Sequence, residues 1–408
     1  MDDQSQQLGL KKQLTTVQIL LYGVGTMLGA GIYVLVGKVA GYAGTLAPLS
    51  FLIAGILAGL TAYSYSLLSP RFPKSGGEIE YVNQAFRLKW LSLLVGWCVV
   101  LTGFVSAAAI IKGFVGYLDV FIELPDAYVI LVSMLILGLI AIWGISESLN
   151  IIGLITIVEV GGLILVVVLS GVDFNEIGDK YSSLFIQSPG YDFLAVFQGA
   201  FLAFYAFVGF EDLANVAEEA KNPKKSMPIA IMGSMIIALL LYVLVAIVAV
   251  LALPLDQLAA TDAPLADVVA LKGEKYTYLI SLISLVAVIN GVLAQIIMGS
   301  RVLYGMAGQK IAPQVFHQVH HRFRTPTLAT VTLVTGITLL AIFLPIVSLA
   351  NATSYIIISV FVLVNLSQVL LAWRDEGQIK WLNRKFLLPL LAAILCIGLL
   401  LFKIIAAF

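Results

Sequence analysis

Long apolar runs recur from near the first residue of this chain to near the last, and they decide the fold class. A helix needs about 20 apolar residues to cross a hydrocarbon core. Eleven runs of about that length can be read, at roughly 17–41, 46–69, 91–118, 127–146, 150–171, 192–216, 228–253, 276–305, 326–345, 349–373 and 385–407. They are continuous rather than alternating, which excludes a transmembrane β-barrel. Of 408 residues, 61% are hydrophobic and 11% charged, a balance no water-soluble fold needs. The expectation is an all-α polytopic membrane protein, one transmembrane domain over 1–408 with no soluble domain. Residues 1–16 are polar and the first run is too long for a cleavable signal.

Charge orients the spans. Twenty-three basic and 23 acidic residues cancel, so bulk charge names no partner, and no nucleic acid is expected. Their placement is lopsided. Lys11, Lys12, Arg71, Lys74, Arg87, Lys89, Lys221, Lys224, Lys225, Lys310, Arg322, Arg324, Arg374, Lys380, Arg384 and Lys385 precede span 1 or fall in alternate loops. The opposite loops carry mainly acids, among them Asp119, Asp173, Asp256 and Asp262. The positive-inside rule then places the N-terminus in the cytoplasm and residue 408 outside. Cell-membrane residence follows, with the bilayer as the first partner. Cys98 and Cys396 both lie inside spans and suggest no disulfide framework.

Span 1 is unlike a plain membrane crossing. Its centre holds Gly23, Gly25, Gly29 and Gly31. Each glycine weakens a helix by about 1 kcal/mol. Such glycines allow either a close helix crossing or a break that exposes backbone polar groups, tolerated only where it lines a cavity or is buried in protein. Span 6 echoes it near mid-depth, where Gly209 is followed by Glu211 and Asp212. Two disrupted spans in corresponding positions of two halves point to an inverted-repeat transporter. The halves are 17–171 and 192–373, with 385–407 as an extra helix. Half-helix N-termini suit a carboxylate and freed carbonyls suit an ammonium. The residues expected to line the site are Met27, Gly29, Ala30, Gly31 and Ile32 in span 1, and Phe207, Val208, Gly209 and Phe210 in span 6. Residues 263–271 are expected to form a short lid helix.

Four ordered motifs carry a family resemblance. Span 1 has Gly29-Ala30-Gly31-Ile32-Tyr33, and the next loop has Pro73-Lys74-Ser75-Gly76-Gly77 with Tyr81. Span 6 has Gly209-Phe210-Glu211, followed by Glu218-Glu219-Ala220-Lys221-Asn222-Pro223 and Pro228. Span 8 ends in Ser300-Arg301, with Met306-Ala307 beyond. Together they resemble the amino acid–polyamine–organocation (APC) superfamily of permeases. The resemblance implies a LeuT-type core of five plus five spans, broken in spans 1 and 6, that moves amino acids or related amines by alternating access. Members of the family usually have twelve spans, against eleven here.

Ionisable residues at depth are functional candidates. Glu159 lies in span 5, about nine residues (~13 Å) from the basic end. Some proton-coupled relatives place a lysine at the comparable position. A carboxyl there could carry a proton, or could serve structurally to hold span 5 to a neighbour. Glu211 and Asp212 suit capping and gating of the span 6 break, or contact with a substrate amine. Lys112 and Arg301 lie near span ends and are expected to snorkel. No nucleotide-binding or catalytic motif occurs, so no enzyme, cofactor or metal is expected. The reading is a secondary amino acid transporter. The alternatives are a polyamine carrier, an exchanger and a non-transporting sensor. Substrate identity and oligomeric state are not legible.

Overall fold

The computed structural model describes residues 13–74, 76–143, 149–172, 193–308, 310, 312–320, 325–376 and 383–406. Among them the secondary structure is helical, apart from one isolated bridge between Leu14 and Ala220. All eleven expected spans are present as helices or helix pairs. Span 1 is α1 (Thr16–Leu28) and α2 (Ala30–Ala43), interrupted at Gly29. Spans 2 to 5 are α3 (Ala47–Leu68), α5 (Lys89–Asp119), α6 (Asp126–Trp143) and α7 (Leu149–Leu169), with α4 (Gly77–Phe86) lying between spans 2 and 3. Span 6 begins as α8 (Phe193–Ala203), tightens to a 3-10 turn over Phe204–Phe207 and resumes as a 3-10 helix over Phe210–Glu219. Span 7 is α9 (Pro223–Ala252). Two short helices, α10 (Leu255–Ala260) and α11 (Pro264–Ala270), follow as a lid, one more than the sequence led us to expect. Spans 8 to 11 are α12 (Glu274–Gly308), α13 (Thr327–Phe343), α14 (Ile346–Glu376) and α15 (Arg384–Ile405).

Local chemistry sets several of these boundaries. Thr15 and Gln18 form a capping box at the start of α1, which supplies acceptors to two of the N–H donors a helix start leaves open. Pro223 opens α9 at a position where the missing N–H costs nothing. Lys112, expected to snorkel, donates from its Nζ to the carbonyl of Ala341 at 2.9 Å. That carbonyl lies in the last turn of α13, where no intrahelical donor remains.

Each of spans 1 to 4 packs on the span five places later. The pairs are α2 with α8, α3 with α9, α5 with α12, and α6 with α13. Within the first pair the halves cross over: α2 meets α8, while α1 meets the 210–219 helix. At the basic end a strap joins the two. The N–H groups of Gln13 and Leu14 donate to Glu219 O at 2.9 and 3.0 Å, and Lys221 N–H donates to Leu14 O at 3.0 Å. The outer faces are apolar. Leu131, Leu135, Leu139 and Trp143 of α6 are all more than half exposed, a stripe at helical spacing that only lipid or another apolar surface can cover.

Candidate functional site

The two interruptions meet. Gly31 faces the Ala206 backbone so closely that a Cβ would lie 2.5 Å from Ala206 Cα. Gly209 faces Thr26, where a Cβ would lie 2.7 Å from the carbonyl oxygen. Its φ of +125° is also a conformation that glycine alone adopts readily. Met27, Gly29, Gly31, Ile32, Phe207, Val208 and Gly209 are all buried around this contact. Ala30 supplies the first helical residue of α2. Phe210 departs from this group. Its ring packs against Tyr65 (5.4 Å) and Phe361 (5.1 Å), in the scaffold of α3 and α14, because the residue lies beyond the Gly209 turn.

Freed backbone groups must find partners when buried. Several find them in hydroxyls from other spans. Tyr242 of α9 places its hydroxyl 2.6 Å from Met27 O and 3.0 Å from Ala206 O, one carbonyl from each interruption. It shares a single proton between them. Thr26 Oγ1 lies 3.0 Å from both Gly23 O and Gly209 O. At the span 6 turn, Glu211 Oε2 accepts the Gly209 N–H at 2.8 Å. Glu211 is therefore a cap, one of the two roles read for it from sequence. Asp212, its half-buried neighbour, donates its own N–H to Gly209 O at 3.2 Å.

Span 1 is finished differently. The N-terminus of α2 has no side-chain cap. A Cβ built on Gly29 would meet nothing within 4 Å, although Gly29 itself is buried. An uncapped helix start beside an internal space is a ready anion site.

Glu159 of α7 lies close to this region. The hydroxyl of Tyr33 in α2 donates to its backbone carbonyl at 2.7 Å. Thr156, one turn earlier, lies 3.1 Å from Leu21 O in α1. The Glu159 side chain is fully buried, and neither carboxyl oxygen has a hydrogen-bond partner within the protein. Asn290 of α12 is set against it, and its Oδ1 is unpartnered as well.

A cavity of about 1310 Å³ opens at the basic end. Its walls come from α4, α5, the 210–219 helix and α12, and include Glu78, Lys89, Asn215, Glu219, Arg301 and Met306. Residues of the two interruptions do not line it. Glu78 is buried on its wall and accepts the Tyr65 hydroxyl at 2.9 Å. Burial pushes the Glu78 carboxyl from 4.5 up to about 7, against the lowering effect of its backbone and Tyr65 hydrogen bonds. Sequence reading did not single out Glu78, Tyr242, Asn290 or Lys38. A tyrosine in an apolar span gives no local signal. Lys38 did give one, as a lone cation inside the span 1 run beside Gly37 and Gly41.

An all-helical polytopic membrane protein with two interrupted spans in mutual contact belongs to the class whose ligand site is built on broken helices. Comparison with known proteins makes this specific. The chain matches the family described as Amino acid permease over residues 14–408, and it belongs to that family. It is 29% identical to "Cationic amino acid transporter 2, vacuolar" of Arabidopsis thaliana over 89% of this chain and 60% of that protein. It is 31% identical to "Cationic amino acid transporter 9, chloroplastic" of the same plant, over 76% of this chain and 58% of that protein. It is 27% identical to "Branched-chain amino acid permease BcaP" of Bacillus subtilis (strain 168), over 96% of this chain and 88% of that protein. The chain spans about three fifths of the length of the first plant relatives it matches, at 60%, 63% and 60%.

Proposed function

We propose that this chain is a secondary transporter that moves amino acids across a cell membrane by alternating access. The single observation that carries the reading is the uncapped start of α2, beside the space at Gly29 and against the span 6 interruption. The N–H groups of Ala30, Gly31 and Ile32 would take the substrate carboxylate. Carbonyls of the Phe204–Val208 turn would take its ammonium. Residues 17–171 and 192–373 act as inverted repeats, a division supported by the pairing of spans 1 to 4 with their counterparts. The basic loops put the N-terminus and the cavity in the cytoplasm. In that orientation the structure has its inner vestibule open and its outer lid shut.

Glu159 is the coupling candidate. Its unpartnered carboxyl costs far less to bury protonated than charged. Proton binding there would favour one arrangement of the spans that pack on α7. The test is uptake into proteoliposomes containing the purified protein. Uptake of an amino acid should rise with an inward proton gradient and proceed without sodium. Glu159→Gln should keep exchange and lose gradient-driven accumulation. Accumulation that survives in the variant would make exchange the better mechanism. A thermal-shift screen separates the substrate classes: an amino acid should raise Tm more than its decarboxylated analogue. If amines alone stabilise the protein, the carboxylate assignment fails and amine transport replaces it.

A further inference from the structure

The lid is seated on the second half of span 1 by the absence of side chains. A Cβ on Gly37 would collide with the carbonyl oxygen of Leu258 in α10. On α5, a Cβ on Gly116 would lie 2.6 Å from Asp262 O. This close approach brings Lys38 to the end of α10. Its Nζ lies 3.1 Å from Ala259 O, 3.0 Å from Thr261 O and 3.0 Å from Asp262 Oδ1, with Ala260 O further off at 3.5 Å. The ammonium has three protons and three near acceptors. The carbonyls are those that the end of α10 leaves without intrahelical donors.

The two kinds of contact differ in weight. The Lys38 side chain is 15% exposed, whereas that of Asp262 is 69% exposed. A pair with one partner so open to water is heavily screened. The carbonyl contacts are more sheltered and charge-assisted. We propose that Lys38 is the positioning residue that latches the lid onto α2, and that releasing it from the α10 carbonyls is the step that opens the transport path at the lid end. The latch acts through the backbone of α10, so it does not depend on which amino acid is carried. It rests on the transport reading only for its effect on uptake. It rests on the proposed orientation only for the naming of sides.

The experiment uses the full chain with Cys98 and Cys396 replaced by Ala and a reporter thiol at Val268→Cys. Val268 lies in α11 and is fully buried while the lid is shut. In detergent, where both sides are open to reagent, Lys38→Met should raise the rate of thiol labelling about tenfold, the scale expected from losing charge-assisted hydrogen bonds. Lys38→Arg should label much as the parent does, and Asp262→Asn should fall between parent and Lys38→Met. Gly116→Ala, which pushes on Asp262 from α5, should act in the same direction and serves if Lys38→Met does not fold. In proteoliposomes, Lys38→Met should lower KM on the lid side and raise it on the vestibule side. A merely structural role would lower the rate without opposite shifts in KM. Unchanged labelling in Lys38→Met and Gly116→Ala overturns the latch. So does an Asp262→Asn effect as large as that of Lys38→Met, which would make it an ordinary surface pair. If labelling rises in detergent but intact cells react only from the cytoplasmic side, the latch stands and the orientation falls. If labelling rises and no amino acid is carried, the latch stands and the transport reading falls.

Discussion

The two interruptions of this fold look alike in sequence and are finished in opposite ways. At span 6 the protein supplies its own anion: the Glu211 carboxylate takes the Gly209 N–H. At span 1 no side chain caps α2, and the backbone at Gly29 faces empty space. A helix start that is already capped has little left for a ligand, whereas one left open does. Under the proposed function, this difference makes span 1 the binding position and leaves span 6 as its support.

The largest expected effect breaks the comparison at span 1. At Gly29 a Cβ would meet nothing within 4 Å, so Gly29→Leu directs its side chain into the internal space. Uptake should fall by roughly 100-fold, the scale of losing a buried charge-assisted contact, while Tm stays close to the parent value. Gly31→Leu should lose both, because its side chain would be driven into the Ala206 backbone. Equal Tm losses in the two variants would remove the distinction between a binding position and a packing position.

Span 6 gives a smaller effect. Glu211→Ala leaves a buried N–H unmade and should cost about 1–3 kcal/mol of stability. Glu211→Gln keeps an acceptor and should recover most of it. Denaturation in mild detergent, followed by tryptophan fluorescence, measures both. If Glu211→Gln transports no better than Glu211→Ala, the negative charge itself matters and capping is not its whole role.

The smallest effect sharpens the surroundings of span 6. Glu78 binds a proton more tightly in the folded protein, near pH 7, than in the unfolded chain, near 4.5. Between those values the folded state holds the extra proton, so stability falls as pH rises and then levels off above about 7. A Tm series from pH 5 to 8 should show that slope in the parent and a shallower one in Glu78→Gln. Identical slopes would mean that Glu78 is ionised throughout.

The spans were legible because hydropathy needs only local sequence. The glycine cluster was legible as a group but not residue by residue. Gly29 alone is the break; Gly23 and Gly25 lie within unbroken α1, pressed against Leu213 and Thr156. Both readings of the cluster, break and close crossing, were therefore true of different members. The position of the span 6 turn followed from Gly209, but the 3-10 stretch up to Glu219 did not. No periodic signal distinguishes it from a helix with the same apolar face. Tyr242 and Lys38 were missed for one reason. Their partners lie 215 residues away for Tyr242 with Met27, and 223 for Lys38 with Thr261. A lone cation in an apolar run marks Lys38 as unusual, but neither it nor Tyr242 carries a local pattern that names a partner so far away in sequence.

The strap at the basic end has a mechanical meaning. Three backbone hydrogen bonds rivet residues 13–14 to residues 219–221, so the start of α1 and the end of the 210–219 helix form one lever arm with two roots. A tilt of either root drags the other, and force applied ahead of residue 13 reaches both at once. Bulky fusions placed there would load that arm directly, whereas α15, packed on α14 and α3, offers an attachment point away from it.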